Sequence, residues 1–103
     1  FTVPPETITF RGLENVATFQ SSDWAERGWC RKCGSGIWYR TTAEGSGKGT
    51  YHMPVGLLDD PSGMTMKREI FIDEKSPAFT FADETEKMTG AELFAKFSGN
   101  NEE

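Results

Sequence analysis

Two cysteines three positions apart, Cys30 and Cys33 in the phrase Trp-Cys-Arg-Lys-Cys-Gly-Ser-Gly over 29–36, are the residues of this chain best equipped for chemistry. Such a pair can exchange disulfides, one thiolate attacking and the other resolving the mixed intermediate. It can supply half of a tetrahedral metal site. It can also be two inert buried thiols. The residues after Cys33 favour the metal. A redox pair of the thioredoxin kind sits at the start of a long helix, whose positive end lowers the pKa of the first thiol. Here Gly34-Ser35-Gly36 and the β-prone Ile-Trp-Tyr follow instead, and each glycine costs a helix about 1 kcal/mol relative to alanine. A glycine just after the second cysteine suits a tight turn that brings two sulfurs to one ion, because it accepts a positive φ without a Cβ clash.

The expected ion is Zn²⁺ held by Cys30 and Cys33 as thiolates, and a structural zinc takes four ligands. With two cysteines and one histidine in the chain, three arrangements would close the site. These are His52 with a carboxylate or water, two thiolates from a second copy of the chain in a homodimer, or two thiolates from a segment preceding Phe1. Arg27, Arg31, Lys32 and Arg40 surround the pair in sequence and can offset thiolate charge, bind an anionic ligand, or form a solvated rim. Trp24, Trp29 and Trp38 are expected to wall the site with apolar surface. Asp59-Asp60-Pro61-Ser62-Gly63 has carboxylates but reads most simply as a turn.

The elements that must position this pair are mainly β. Residues 7–10 and 16–20 alternate as half-buried strands do, with Gly-Leu-Glu-Asn between them, and predict a hairpin. Residues 36–40, 50–55 and 64–72 are further β-favouring runs separated by Gly-, Ser- and Asp-rich stretches. Pro54 requires the 50–55 strand to lie at an edge, end early or carry a bulge. Thr89-Gly-Ala-Glu92 is a capping box, followed by a short helix with Leu93, Phe94 and Phe97 on one side. The expected organisation is one domain over 1–97 and a frayed tail over 98–103.

With 103 residues, 36% hydrophobic and 26% charged, the composition is that of a folded domain, small enough to benefit from a metal staple. A net charge of −5 argues against nucleic acid, whose binding requires a basic face. No apolar run approaches the roughly 20 residues of a membrane span. Two cysteines without a secretory signal point to a reducing, cytoplasmic setting.

The phrases over 19–40, 54–63 and 66–97, from Phe-Gln-Ser-Ser-Asp-Trp to the final Phe-Ala-Lys-Phe, together resemble the C-terminal two-thirds of the glutathione-dependent formaldehyde-activating enzyme family, which includes the centromere protein V-like domain. The resemblance implies a β-tent fold, small antiparallel sheets meeting near a structural Zn²⁺ bound by four cysteines, of which Cys30 and Cys33 match the later pair. It implies a carbon–sulfur lyase activity on the adduct of glutathione and formaldehyde. It also implies a second, catalytic Zn²⁺ held by an upstream Cys-x-Cys-x-x-Cys cluster to which no residue of this chain corresponds. Many members carry a tryptophan within the phrase that here reads Lys75–Phe79, and a histidine where this chain has Glu69. Two other functions remain compatible with the residues: a non-catalytic zinc-stabilised binding module, and a thiol–disulfide oxidoreductase, which would need a helix after Cys33.

Overall fold

The computed structural model describes residues 1–96 in full and 97–102 as the continuation of a C-terminal helix without their side chains. The expectation of a frayed tail at 98–103 falls outside the fully described residues, and so does the Phe97 side chain. The chain is mainly β and divides into two compact units, Phe1–Ser62 and Gly63–Glu103.

The first unit is a five-stranded antiparallel sheet built from β1 (Thr2–Val3), β2 (Val16–Gln20), β3 (Ala25–Cys30), β4 (Gly36–Thr41) and β5 (Tyr51–His52). The spatial order is β1-β5-β4-β3-β2. Alternation along β3 and β4 decides its two faces, since successive side chains of a strand point to opposite sides. One face carries the packed aromatic cluster. Trp38 on β4 meets Phe10 at 5.1 Å and Tyr51 at 5.2 Å between ring centroids, and Phe10 meets Tyr51 at 5.2 Å. The Trp38 indole N–H donates to Glu26 Oε2 at 3.0 Å, and Arg40 donates to the other oxygen of that carboxylate at 3.3 Å. The buried indole is thereby satisfied. Gly28 lies opposite Trp38 in the register, and a Cβ placed there would stand 2.5 Å from Trp38 Cε2. The ring fills the space a side chain would take.

The expected hairpin of 7–10 with 16–20 is not formed. Residues 5–7 close a 3-10 turn in which the Thr7 amide bonds Pro4 O at 3.1 Å, and Leu13–Asn15 form another after Gly12 at φ +82°. All five residues of β2 instead pair with β3 through the short 21–24 connection, from Val16 opposite Cys30 to Gln20 opposite Glu26. A short local loop closes that register at small entropic cost, whereas Pro4 and Pro5 have no N–H to give a ladder and enter a 3-10 turn. Phe10 still reaches the core, but as a loop residue. The 50–55 strand is only Tyr51–His52, ending before Pro54, and it lies inside the sheet between β1 and β4.

The second unit contains β6 (Arg68–Glu69) and β7 (Glu86–Lys87), a parallel two-stranded pair, and α1 (Gly90–Glu102). The strand expected over 64–72 is thus reduced to two residues. Phe71 sits at φ 54°, a left-handed conformation that ends the strand, and a 3-10 turn over Ile72–Glu74 follows. The Lys75 ammonium gathers the segment that follows by donating to the carbonyls of Ser76 and Phe79. The capping box forms as expected: the Glu92 amide donates to Thr89 Oγ1 at 3.1 Å, and the Thr89 amide to Glu92 Oε1 at 3.0 Å. Leu93 is buried together with Met88 as the apolar centre of this unit. Phe94 is exposed on its outer side yet sets its ring edge-on to Phe71 at 5.8 Å. Among the described residues no helix is long and apolar enough to cross a membrane.

Candidate functional site

Cys30 is the last residue of β3, and Gly36 opens β4. The five residues between them therefore form the tip of a hairpin and not the start of a helix. Backbone bonds hold this tip from both sides: the Gly34 amide donates to Cys30 O at 2.7 Å, the Cys30 amide to Ser35 O at 2.8 Å, and the Arg31 amide to Asn15 O at 2.7 Å. Gly34 takes φ +83° with open space around it, the left-handed step foreseen for a turn after the second cysteine. The helix that a thiol–disulfide oxidoreductase of the thioredoxin kind requires after Cys33 is replaced by β4.

Both thiols are free. Cys30 is half-buried, opposite Val16 in the sheet, and Cys33 is exposed at the tip. Cys33 Sγ lies 3.3 Å from Ser35 Oγ. Hydrogen bonds from the Ser35 hydroxyl, then from the Ser35 amide and the Cys30 side chain, hold the Cys33 thiol below its ordinary value. Donors aimed at sulfur favour the thiolate, the form that attacks electrophiles and binds metals.

These features suit half of a zinc site: two sulfurs on one rigid turn, with a backbone amide directed at one of them. The other half is not found nearby. Among the described residues no three His, Cys, Asp or Glu side chains group together as a metal site would need. His52, one of the ligands weighed above, instead pairs with Tyr39 across the sheet, its ring edge-on at 5.9 Å. Desolvation of its ring, and secondarily the positive charge of the Phe1 amino group, hold it below the usual imidazole value.

The basic residues divide by role. Arg31 donates to Val16 O at 3.2 Å, which fastens the turn to β2. Arg40 is engaged with Glu26 and lies over the Tyr51 ring at 5.7 Å. Lys32 is exposed beside Cys33. Arg27 lies over the Tyr39 ring at 5.0 Å, on the face opposite the aromatic cluster. Of the three tryptophans, only Trp38 is a core residue. Trp24, expected as an apolar wall, is 52% exposed and donates its indole N–H to Tyr39 Oη at 3.1 Å, and Trp29 is half-buried. The Asp-Asp-Pro-Ser-Gly segment is a turn, with the Ser62 amide donating to Asp60 Oδ1 at 3.0 Å. Glu69, the position at which the resembled family carries histidine, accepts from the Thr85 hydroxyl at 2.5 Å and lies 3.7 Å from the Lys87 ammonium. It is occupied with holding β6 to β7.

One arrangement was not foreseen. The strand registers place Phe19, Arg27, Tyr39, His52 and Thr2 in a single row, one residue from each strand of the five-stranded sheet. Beside this row is a cleft of about 370 Å³ whose lining includes Arg27, Gly36, Ile37, Tyr39 and His52. Alternation within each strand was legible in the sequence, but the row requires knowing which residue faces which.

No family model matches the chain, and no solved structure does. The chain is similar to a protein of Schizosaccharomyces pombe described as an uncharacterized lyase, with 31% identity over 80 residues that make up 78% of this chain and 56% of the relative, so that it spans little more than half of that protein's length.

Proposed function

We propose that this chain belongs to a zinc-dependent carbon–sulfur lyase acting on adducts of glutathione and formaldehyde, and that Cys30 and Cys33 hold its structural Zn²⁺. The observation that carries the reading is the hairpin tip: two thiols on one turn, not joined as a disulfide, with the Ser35 hydroxyl and amide favouring the thiolate of Cys33. The likeness to a protein described as a lyase supports the reaction class, and the order of phrases around the cysteines supports the substrate. In the reaction the thiol sulfur of glutathione bonds to the carbonyl carbon of formaldehyde while the thiol proton passes to the oxygen; cleavage reverses both changes. A catalytic metal supplies polarisation of that oxygen, and its ligands lie outside this chain. The part of this chain is to hold the fold around the structural ion, which in small domains supplies on the order of 10 kcal/mol of folding free energy.

A second reading, a zinc-stabilised binding module without catalysis, is favoured by the cysteine count: the chain has only two, too few for a second zinc cluster of its own. Native mass spectrometry and two-dimensional exchange NMR separate the alternatives. The expected result is one Zn²⁺ shared by two copies of the chain, lost in C30S and in C33S. A folded chain that takes up no zinc and leaves both thiols open to alkylation under excess zinc ends both readings. Assayed in a longer protein that also supplies the catalytic ligands, accelerated exchange of formaldehyde onto glutathione supports the lyase, and zinc uptake without it supports the module.

A further inference from the structure

The sheet face opposite the aromatic cluster has no part in the zinc reading, yet it is organised. Phe19 is 64% exposed at one end of the five-residue row, and Arg27, Tyr39 and His52 follow it across three strands. The Trp24 indole fixes the Tyr39 hydroxyl at 3.1 Å, and the Tyr39 ring in turn carries the Arg27 guanidinium at 5.0 Å. Arg40 and Arg68 both reach a carboxylate; Arg27 has no ion pair or side-chain hydrogen bond among the described residues. A guanidinium placed over a ring, with no carboxylate of its own, has N–H groups left that can match a carboxylate with two parallel bonds.

The charge distribution points the same way. The chain carries 16 acidic residues against 11 basic ones, but none of the residues lining the adjoining cleft is Asp or Glu. Arg27 is its only Arg or Lys; the Phe1 amino group, which donates to Met53 O at 2.8 Å, adds a second positive charge to the lining, and the His52 imidazole can offer a hydrogen bond. One fork between aromatic walls suits a planar monoanion on an organic body; a phosphate dianion calls for several converging donors. The cleft volume of about 370 Å³ falls within the range of small-ligand sites, roughly 300–1,000 Å³. Gly36, which lines the cleft, comes three residues after Cys33 in the same hairpin.

We propose that this cleft binds the carboxylate of a small peptide-like ligand through Arg27, with Tyr39 and His52 as its walls. Resting on the lyase reading, that ligand is the glutathione part of the adduct, anchored by one of its carboxylates on the hairpin that carries the cysteines. The juxtaposition assigns the anchor to β3, β4 and β5 and leaves the reacting sulfur end of the ligand free.

Amide NMR titration of the whole chain tests this with S-methylglutathione, which keeps both carboxylates but lacks the reactive thiol. Expected are saturable shifts at Gly36, Tyr39 and His52, weakened at least about tenfold by Arg27→Gln and by esterifying both carboxylates of the ligand. Arg27→Lys, which keeps the charge but loses the fork, should fall between wild type and Arg27→Gln. Shifts of the diethyl ester equal to those of the acid, unchanged affinity in a well-dispersed Arg27→Gln spectrum, or inorganic phosphate binding as tightly at the same amides would each overturn the assignment. The probe cannot undergo the lyase reaction, so docking of S-methylglutathione on this chain, with no exchange activity in a longer protein that carries the catalytic ligands, would retain the anchor and remove the lyase. Exchange activity without docking would do the reverse.

Discussion

Cys33 and Ser35 form the smallest unit of function in this chain. An exposed thiol without neighbours ionises near its ordinary value, whereas here a hydroxyl, an amide and a second thiol converge on one sulfur. The shift is downward, so the thiolate form is present at lower pH than in a free cysteine. Alkylation by iodoacetamide should consequently be faster at Cys33 than at the half-buried Cys30, with a pH midpoint for Cys33 below the model-compound value of 9.0. Ser35→Ala removes the leading cause and should return the midpoint toward that value; peptide mapping of the label at a series of pH values measures both. An unchanged midpoint in the variant would leave the hydroxyl without the role given to it. Arg27 differs in kind. Its chemistry was visible in the sequence as one of four basic residues around the cysteines, but nothing in the residue type separated it from Arg31 or Arg40, which the fold commits to a carbonyl and a carboxylate.

Among the elements, β3 and β4 determine where the cysteine turn can stand. Their register slips between Gly28 and Trp29, so that Gly28 faces Trp38 while Trp29 faces Gly36. The slip is a β-bulge, a device that re-aims side chains near a strand end. Gly28 permits it to coexist with a buried indole, since an added Cβ would lie 2.5 Å from the ring. Gly28→Ala should cost about 1–3 kcal/mol in urea-induced unfolding, the usual range for overpacking a filled core. A loss below about 0.5 kcal/mol, the scatter of surface substitutions, would mean that the ring has room to move. The strands themselves were readable where period two was long: β2 and β4 fall on the expected segments. β3 (Ala25–Cys30) was not anticipated, the 50–55 run shrank to Tyr51–His52, and two further segments were misread. Residues 7–10 have strand-like composition but join no ladder, although β2 stands at the edge of the sheet; the chain before them is turned by Pro4-Pro5 into a 3-10 turn. Residues 64–72 are interrupted by Phe71, whose left-handed backbone no rule of periodicity anticipates; its ring packs against Gly90, where a Cβ would meet Phe71 Cε1 at 2.6 Å.

The two compact units differ in what holds them. Phe1–Ser62 is a sheet with three strands of five or six residues paired in sequence, while Gly63–Glu103 has two strands of two residues and one capped helix. Local opening follows the density of cooperative hydrogen bonds and buried contacts. Amides of β3 and β4 should therefore exchange with solvent at least about tenfold more slowly than those of β6 and β7, by hydrogen–deuterium exchange read with mass spectrometry or NMR. Equal protection throughout would indicate a single cooperative unit. The mainly β class, the capping box at Thr89 and Glu92, the Asx turn at Asp60 and the helix-free turn after Cys33 all followed from the amino acids alone, because each depends on residues within a few positions of one another. That Arg27 is without an ion pair among the described residues, which tryptophan is buried, and the row from Phe19 to Thr2 followed only once the strands were placed side by side. Those properties depend on pairing between residues distant along the chain, and pairing register is a collective choice of the whole sheet that no local window contains.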